Sequence, residues 1–176
     1  MLEWLLIILG IVIGLILLIT LIGALLPKSH TAARTARFDQ KPENVWQTIT
    51  DHANEPSWRG DIRKKERLAD RNGHPVWRET RGRGDVMTFE TMVFEPPRTM
   101  VGRIADDNLP FGGTWTYEIK PVDGGNACTL TITEDGEIYH PIFRFVARFL
   151  MGYRATMTGY LTALSKKFGH EPAFVD

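Results

Sequence analysis

Glu134 is the residue from which chemistry could most readily be built. Cys128, Leu130 and Ile132 alternate with Thr129, Thr131 and Thr133, and Glu134 continues the first series. A strand sends alternate side chains to one face, so this carboxylate shares the apolar side of Leu130 and Ile132. There it must be neutral, paired or wetted, and desolvation would raise its pKa. It could contact a ligand or serve as a general acid. The alternatives are pairing to Arg103 or Arg144, or a bulge at Asp135-Gly136 that turns it away.

Other candidates are fewer and less specific. Glu90 alternates with Thr88 and Met92, and neither side of that run is cleanly apolar. Arg103 and Arg78 could grip a ligand carboxylate or phosphate bidentately, or serve as ordinary paired surface arginines. Trp77, Phe89, Trp115, Tyr117, Tyr153 and Met157 read as core or as the wall of a cavity. The five histidines, His30, His52, His74, His140 and His170, have no ligand spacing, so no metal site is expected. His140 could stand at a cavity rim or in an exposed turn. No nucleophile elbow, P-loop or G-x-G-x-x-G occurs, and no cofactor is expected. Cys128 reads as a small buried hydrophobe.

The elements that must position these residues follow from pattern. The chain has 176 residues and is 43% hydrophobic, with 21 Lys and Arg balanced by 21 Asp and Glu. Zero formal charge removes the overall pull that drives nonspecific nucleic-acid binding. One cysteine excludes a disulfide-framed secreted fold. Thr31–Phe38 predicts a strand, Pro42 onward a helix burying Val45, Trp46 and Ile49, and 51–58 a second short helix or turn. Strands follow over 62–69, 75–81, 86–95, 98–104, 112–122 and 127–139, with Asn72-Gly73 marking a hairpin. Ile142, Val146, Phe149, Tyr153, Met157, Leu161, Leu164 and Phe168 then recur at steps of three and four. They predict one long helix, about 40 Å at 1.5 Å per residue, covering the sheet.

The N-terminus is different in kind. Residues 4–26 contain no charge and would form a helix about 34 Å long, enough to span a hydrocarbon core of about 30 Å. A cleaved signal peptide calls for a basic start, a shorter apolar core and a small-residue cleavage site. Here Met-Leu-Glu opens the chain and Ala-Leu-Leu-Pro closes the run, so the segment reads as a retained anchor. Lys28, Arg34 and Arg37 follow it and no basic residue precedes it, which places the remaining domain in the cytoplasm. Gly10 and Gly14 form a GxxxG step through which two such helices could pair as a homodimer, or an ordinary pair of membrane-helix glycines. Residues 27–30 read as a connector and 170–176 as a tail.

Residues 59 to 83 carry nine Lys or Arg against four acids. Arg59, Arg63, Lys64, Lys65 and Arg67 could face anionic headgroups, or simply form a solvated strand edge.

The order strand, two short helices, six strands, long helix is similar to the START-like SRPBCC superfamily, especially its polyketide cyclase/dehydrase-like branch. Phe38-Asp39, Pro42-Glu43-Asn44-Val45-Trp46, Trp58 and Met87-Thr88-Phe89-Glu90 carry the first part of that resemblance. Leu109-Pro110-Phe111-Gly112-Gly113-Thr114-Trp115, Thr133-Glu134-Asp135-Gly136 and Pro141-Ile142-Phe143-Arg144-Phe145 carry the rest, over residues 31–169. The resemblance implies an α+β helix-grip fold, in which a curved seven-stranded antiparallel sheet wraps a long C-terminal helix around an apolar cavity. Members bind lipids, sterols, polyketides or hormones, and some are cyclases or aromatases.

Three functions are consistent with these features. The first is a membrane-anchored binding module for a hydrophobic small molecule such as a lipid, isoprenoid or polyketide. Trp77, Phe89, Glu90, Arg103, Trp115, Tyr117, Glu134, Tyr153 and Met157 would line its site. The second is a cyclase or dehydratase-like enzyme using Glu134. The third is an interaction protein whose cavity is filled by its own side chains.

Overall fold

The uncharged N-terminal run forms α1 (Leu2–Leu25), whose side chains stay exposed along almost its whole length. The computed structural model describes residues 1–106 and 108–175. Only three residues, 26–28, separate α1 from strand β1 (Ser29–Phe38), so Ser29 and His30 belong to the sheet and not to a free connector. Helix α2 (Pro42–Thr50) starts on the expected proline and buries Val45, Trp46 and Ile49. A single 3₁₀ turn, Glu55–Ser57, stands where a short helix or turn was expected.

Six strands follow: β2 (Ile62–Arg71), β3 (His74–Arg81), β4 (Val86–Glu95), β5 (Thr99–Ile104), β6 (Phe111–Val122) and β7 (Ala127–Ile138). After them come α3 (Pro141–Val146), a π turn (Ala147–Met151), α4 (Ala155–Lys167) and the two-residue β8 (Ala173–Phe174). The antiparallel sheet runs β2-β3-β4-β5-β6-β7-β1-β8 and has eight strands instead of seven. The extra strand lies in the segment read as a tail. There Ala173 and Phe174 pair with Arg37 and Ala36, and the Arg34 guanidinium sits 4.1 Å over the Phe174 ring.

Directly opposed residues share a face, so the register sorts the sheet into two sides. Phe38, Met100, Ile119, Leu130 and Ile132 make the inner side, sealed by Met157, Leu161 and Leu164 from α4. Full burial of each such side chain stabilises the fold by about 1.5–3 kcal/mol.

The long C-terminal helix is broken. Gly152 sits at φ +75° and ψ 146°, outside any helical geometry and in a region that favours glycine. The turn before it has already loosened, with the Gly152 N–H donating to the Ala147 carbonyl at 2.9 Å. Only α4 therefore packs on the sheet, and α3 packs on the end of α1 instead. At that contact a Cβ on Gly23 would come within 2.0 Å of the Pro141 carbonyl oxygen, so only glycine allows this approach.

Candidate inner-face binding site

Continuous β6–β7 register sets Glu134 opposite Trp115, with no bulge at Asp135-Gly136, and β1 sets Ala32 beside it. The carboxylate is partly exposed. It accepts the Trp115 indole N–H at 2.8 Å, and its other oxygen lies 3.1 Å from His30 Nε2. The His30 ring stacks on Tyr153 at 3.9 Å and 16°. Arg103 and Arg144, the partners suggested by sequence, do not pair with it. His30 escaped the sequence reading because its position in a strand depended on where α1 hands over to β1.

Deeper on the same face, Tyr160 of α4 is the centre of an aromatic wall. Trp58, Tyr117 and Trp115 surround it at ring separations of 5.4, 5.6 and 6.2 Å. Burial pushes both tyrosine hydroxyls well above their ordinary range. Among the described residues neither hydroxyl has a hydrogen-bond partner. Trp58, Trp115 and Tyr117 nevertheless keep some accessible surface.

An ion cluster borders this wall. Glu55 accepts Arg59 Nη1 at 2.7 Å and is also bonded to Lys65 Nζ. Glu79 lies 3.6 Å from Arg59, 3.7 Å from Lys65 and 3.0 Å from Arg81. Arg59 also donates to Asp61 at 2.7 Å and lies 5.2 Å over the Tyr160 ring. Burial alone would raise the Glu55 carboxyl. The neighbouring His52, Lys65 and Arg59 outweigh it and hold the group well below the carboxylate range. Burial also opposes the charge on Arg59, but Glu55 and Asp61 more than restore it. The inner face is thus less apolar than strand alternation implied.

Other candidates are distributed as follows. Trp77 and Phe89 oppose each other on the inner side, Trp77 against His52 at 4.8 Å and Phe89 with Lys65 Nζ 5.9 Å from its centroid. Met157 is sealed in the core. Glu90 and Arg103 oppose one another on the outer side, joined at 2.5 Å, and Arg78 shares that side. Arg103 instead borders a depression of about 400 Å³ with Thr114, Glu137 and Tyr139. His140 stands at the N-cap position of α3, without a side-chain capping bond, and is exposed. Cys128 is fully buried, which pushes its thiol up to about 11. Of the basic stretch, Arg59 and Lys65 turn inward to the acids while Arg63 and Lys64 stay exposed. Among the described residues no His, Cys, Asp and Glu side chains are grouped to hold a metal.

Fold and site together define a START-like, SRPBCC-type domain. Residues 29–168 match the family described as polyketide cyclase / dehydrase and lipid transport, and the chain belongs to that family. It is similar in structure to the Zhui aromatase/cyclase from Streptomyces sp. R1128 (TM-score 0.63, 15% identity, 77% of this chain and 91% of that one). It is also similar to a START superfamily protein from Mycobacterium smegmatis (TM-score 0.60, 21% identity, 78% and 96%). A third likeness is to norcoclaurine synthase of Thalictrum flavum (TM-score 0.62, 10% identity, 79% and 93%). At these identities the likeness is one of fold. A comparison with curated proteins finds no match.

Proposed function

We propose that this protein is a membrane-anchored binding module for a hydrophobic small molecule carrying an oxygen function. The carrying observation is the Tyr117–Tyr160 pair: two inner-face phenols, 5.6 Å apart by ring centroid, without a hydrogen-bond partner among the described residues. Neither hydroxyl is among the sealed polar atoms left without a partner, so both open onto accessible space; the pair suits a ligand's hydroxyl or carbonyl, with Trp58 and Trp115 against its apolar body. Trp115, Tyr117, Tyr153 and Met157 from the sequence expectation lie on this side, joined by Trp58 and Tyr160. Membership of a family described by lipid transport and polyketide chemistry supports a lipid, isoprenoid or polyketide-like ligand.

Helix α1 supplies the anchor in this reading: 24 residues, apolar except for Glu3 and Thr20, long enough for a bilayer and with its apolar stretch not buried against the domain. The following Lys28, Arg34 and Arg37, with no basic residue before the helix, support a cytoplasmic domain in this reading.

The test is native mass spectrometry of the full chain released from lipid nanodiscs, followed by extraction and identification of what it carries. A stoichiometric apolar ligand, retained less well after Tyr117→Phe or Tyr160→Phe, is expected. An empty chain whose tryptophan emission ignores fatty acids, isoprenoids and aromatic polyketides alike would favour the filled-interior interaction protein instead.

One arrangement favours an enzyme as the second reading. His30 and Glu134 form a hydrogen-bonded pair on the inner face, and a carboxylate that orients an imidazole prepares it as a general base. In this reading Glu134 positions His30, and a cyclase or dehydratase-like step is the reaction class.

A further inference from the structure

Helix α3 and its π turn face away from the sheet and carry large apolar side chains that nothing in the fold covers. Phe143 is 48% exposed, Phe149 57%, Leu150 73% and Met151 62%. Water is a poor environment for four such groups within nine residues, and so contiguous an apolar surface calls for an occupant. The position of α3 identifies that occupant. Arg144, buried between the elements, donates to the carbonyls of Gly23 at 3.2 Å, Ala24 at 3.5 Å and Leu26 at 3.0 Å, acceptors at the C-terminal end of α1. It also donates to Ile138 and Tyr139 carbonyls at 3.0 and 3.1 Å, so α1, α3 and the end of β7 form one junction. The apolar patch is therefore held at the level where the 24-residue apolar helix ends. Exposed Lys28 follows the end of α1 and exposed Arg148 lies within the segment, where its long side chain can reach the headgroups, the charge that suits an anionic headgroup layer.

We propose that residues 143–151 insert into the headgroup–acyl boundary of the leaflet in which α1 ends, so that the domain lies on the bilayer and does not swing above it on a tether. This rests on α1 being a membrane anchor. Immersion of an apolar helical face by about 5–10 Å is the usual depth of such interfacial elements. Tyr153, just beyond the Gly152 break, stacks on His30, so the immersed segment leads directly to the inner-face site. A ligand could pass between bilayer and site without crossing bulk water.

The test places an environment-sensitive fluorophore on the full chain in phosphatidylcholine–phosphatidylglycerol vesicles, through Leu150→Cys and, as a comparison, Arg63→Cys on edge strand β2. Cys128 is sealed, and the unmodified chain serves as the labelling blank. Alkaline carbonate extraction is run in parallel. Expected is a chain that resists extraction, with blue-shifted emission at 150 that nitroxide-labelled lipid chains quench, and solvent-like emission at 63. Resistance to extraction with solvent-like emission at 150 overturns the insertion and leaves the anchor standing. Blue-shifted emission that lipid nitroxides do not quench overturns it too, since the cover is then protein. Release by carbonate overturns the anchor and the insertion with it.

Discussion

Arg144 reaches the Gly23 carbonyl oxygen at 3.2 Å across 121 residues of chain. The contact closes a junction that also depends on Gly23 having no side chain, because Pro141 occupies the space a Cβ would need. The planar guanidinium serves five carbonyls from two elements, a task its fixed fork suits and a single ammonium does not.

Arg144→Ala should therefore free the domain from α1 without unfolding the sheet. Losing charged hydrogen bonds of this kind costs about 2 kcal/mol. Faster hydrogen exchange at residues 24–28 and 139–146, with β4–β7 unchanged, is the expected pattern. Arg144→Lys should recover only part of the protection. Unaltered exchange in Arg144→Ala would mean that packing of Gly23 on Pro141 holds the junction alone.

Lys65 opposes Glu79 because β2 and β3 slip by one residue between Leu68 and Arg71. Without that slip the Arg71–His74 register would set Glu66 against Glu79, two like charges. Glu79→Ala should cost about 3 kcal/mol, since it strands part of the charge on Arg59, Lys65 and Arg81 in a buried setting. The paired replacement Lys65→Met with Glu79→Leu should cost clearly less than the single change. Chemical denaturation reads both, and an equal or larger loss in the double variant would show that the ions stabilise the fold beyond mutual compensation.

Acid should weaken the domain in two stages. Burial lowers the pKa of His52 from its ordinary 6.5, so the unfolded chain takes up that proton first. Its contribution is full above about 6.5 and falls as pH drops toward the folded value. Glu55 acts lower: its pKa is depressed from 4.5, against the effect of burial, by His52, Lys65 and Arg59. Its stabilisation is present above about 4.5 and is lost as pH falls further. Urea midpoints from about pH 8 to about pH 2 measure both, and His52→Gln should remove the first decline and lessen the second, since His52 is one of the groups that lower Glu55. A midpoint that rises on mild acidification would contradict this assignment.

Glu134→Gln separates carrier from enzyme. The amide can still accept from Trp115, so the fold and the apolar wall should persist. A carrier should then retain its ligand within a few-fold. An enzyme that relies on Glu134 to orient His30 should lose turnover by about 10²-fold or more while still binding substrate. The variant's ligand occupancy and single-turnover rate, measured on the same preparation, decide the matter.

Much of this molecule is legible in the linear chain because its signals are local. Uncharged apolar length marks α1, period-two alternation places β6 and β7 and turns Glu134 inward, and Asn72-Gly73 closes the β2–β3 hairpin. Apolar spacing also marks the C-terminal helical region, but the same spacing cannot reveal its break. Gly152 can sit inside a helix or end one, and what ends it here is α1 competing for α3 through Gly23 and Arg144. The two-residue β8 has too little pattern to be read. Its partner is a strand more than 130 positions away.

The site divides along the same line. Trp115, Tyr117 and Glu134 were readable from alternation within a single strand. Glu90 and Arg103 were not placed, because only the pairing of β4 with β5 puts them on the outer side together. Glu55, Arg59, Lys65 and Glu79 look in sequence like solvated surface charges. A one-residue slip and the fold of the 55–61 turn bring them inside, and charge becomes tolerable there only once all the partners have met. Sequence determined the elements and the facing of each regular strand, since those follow from neighbours two to four residues apart. Tertiary structure alone decided which charges are buried, where the last helix stops and how the domain sits on α1, because each depends on groups that are distant in the chain and adjacent only after folding.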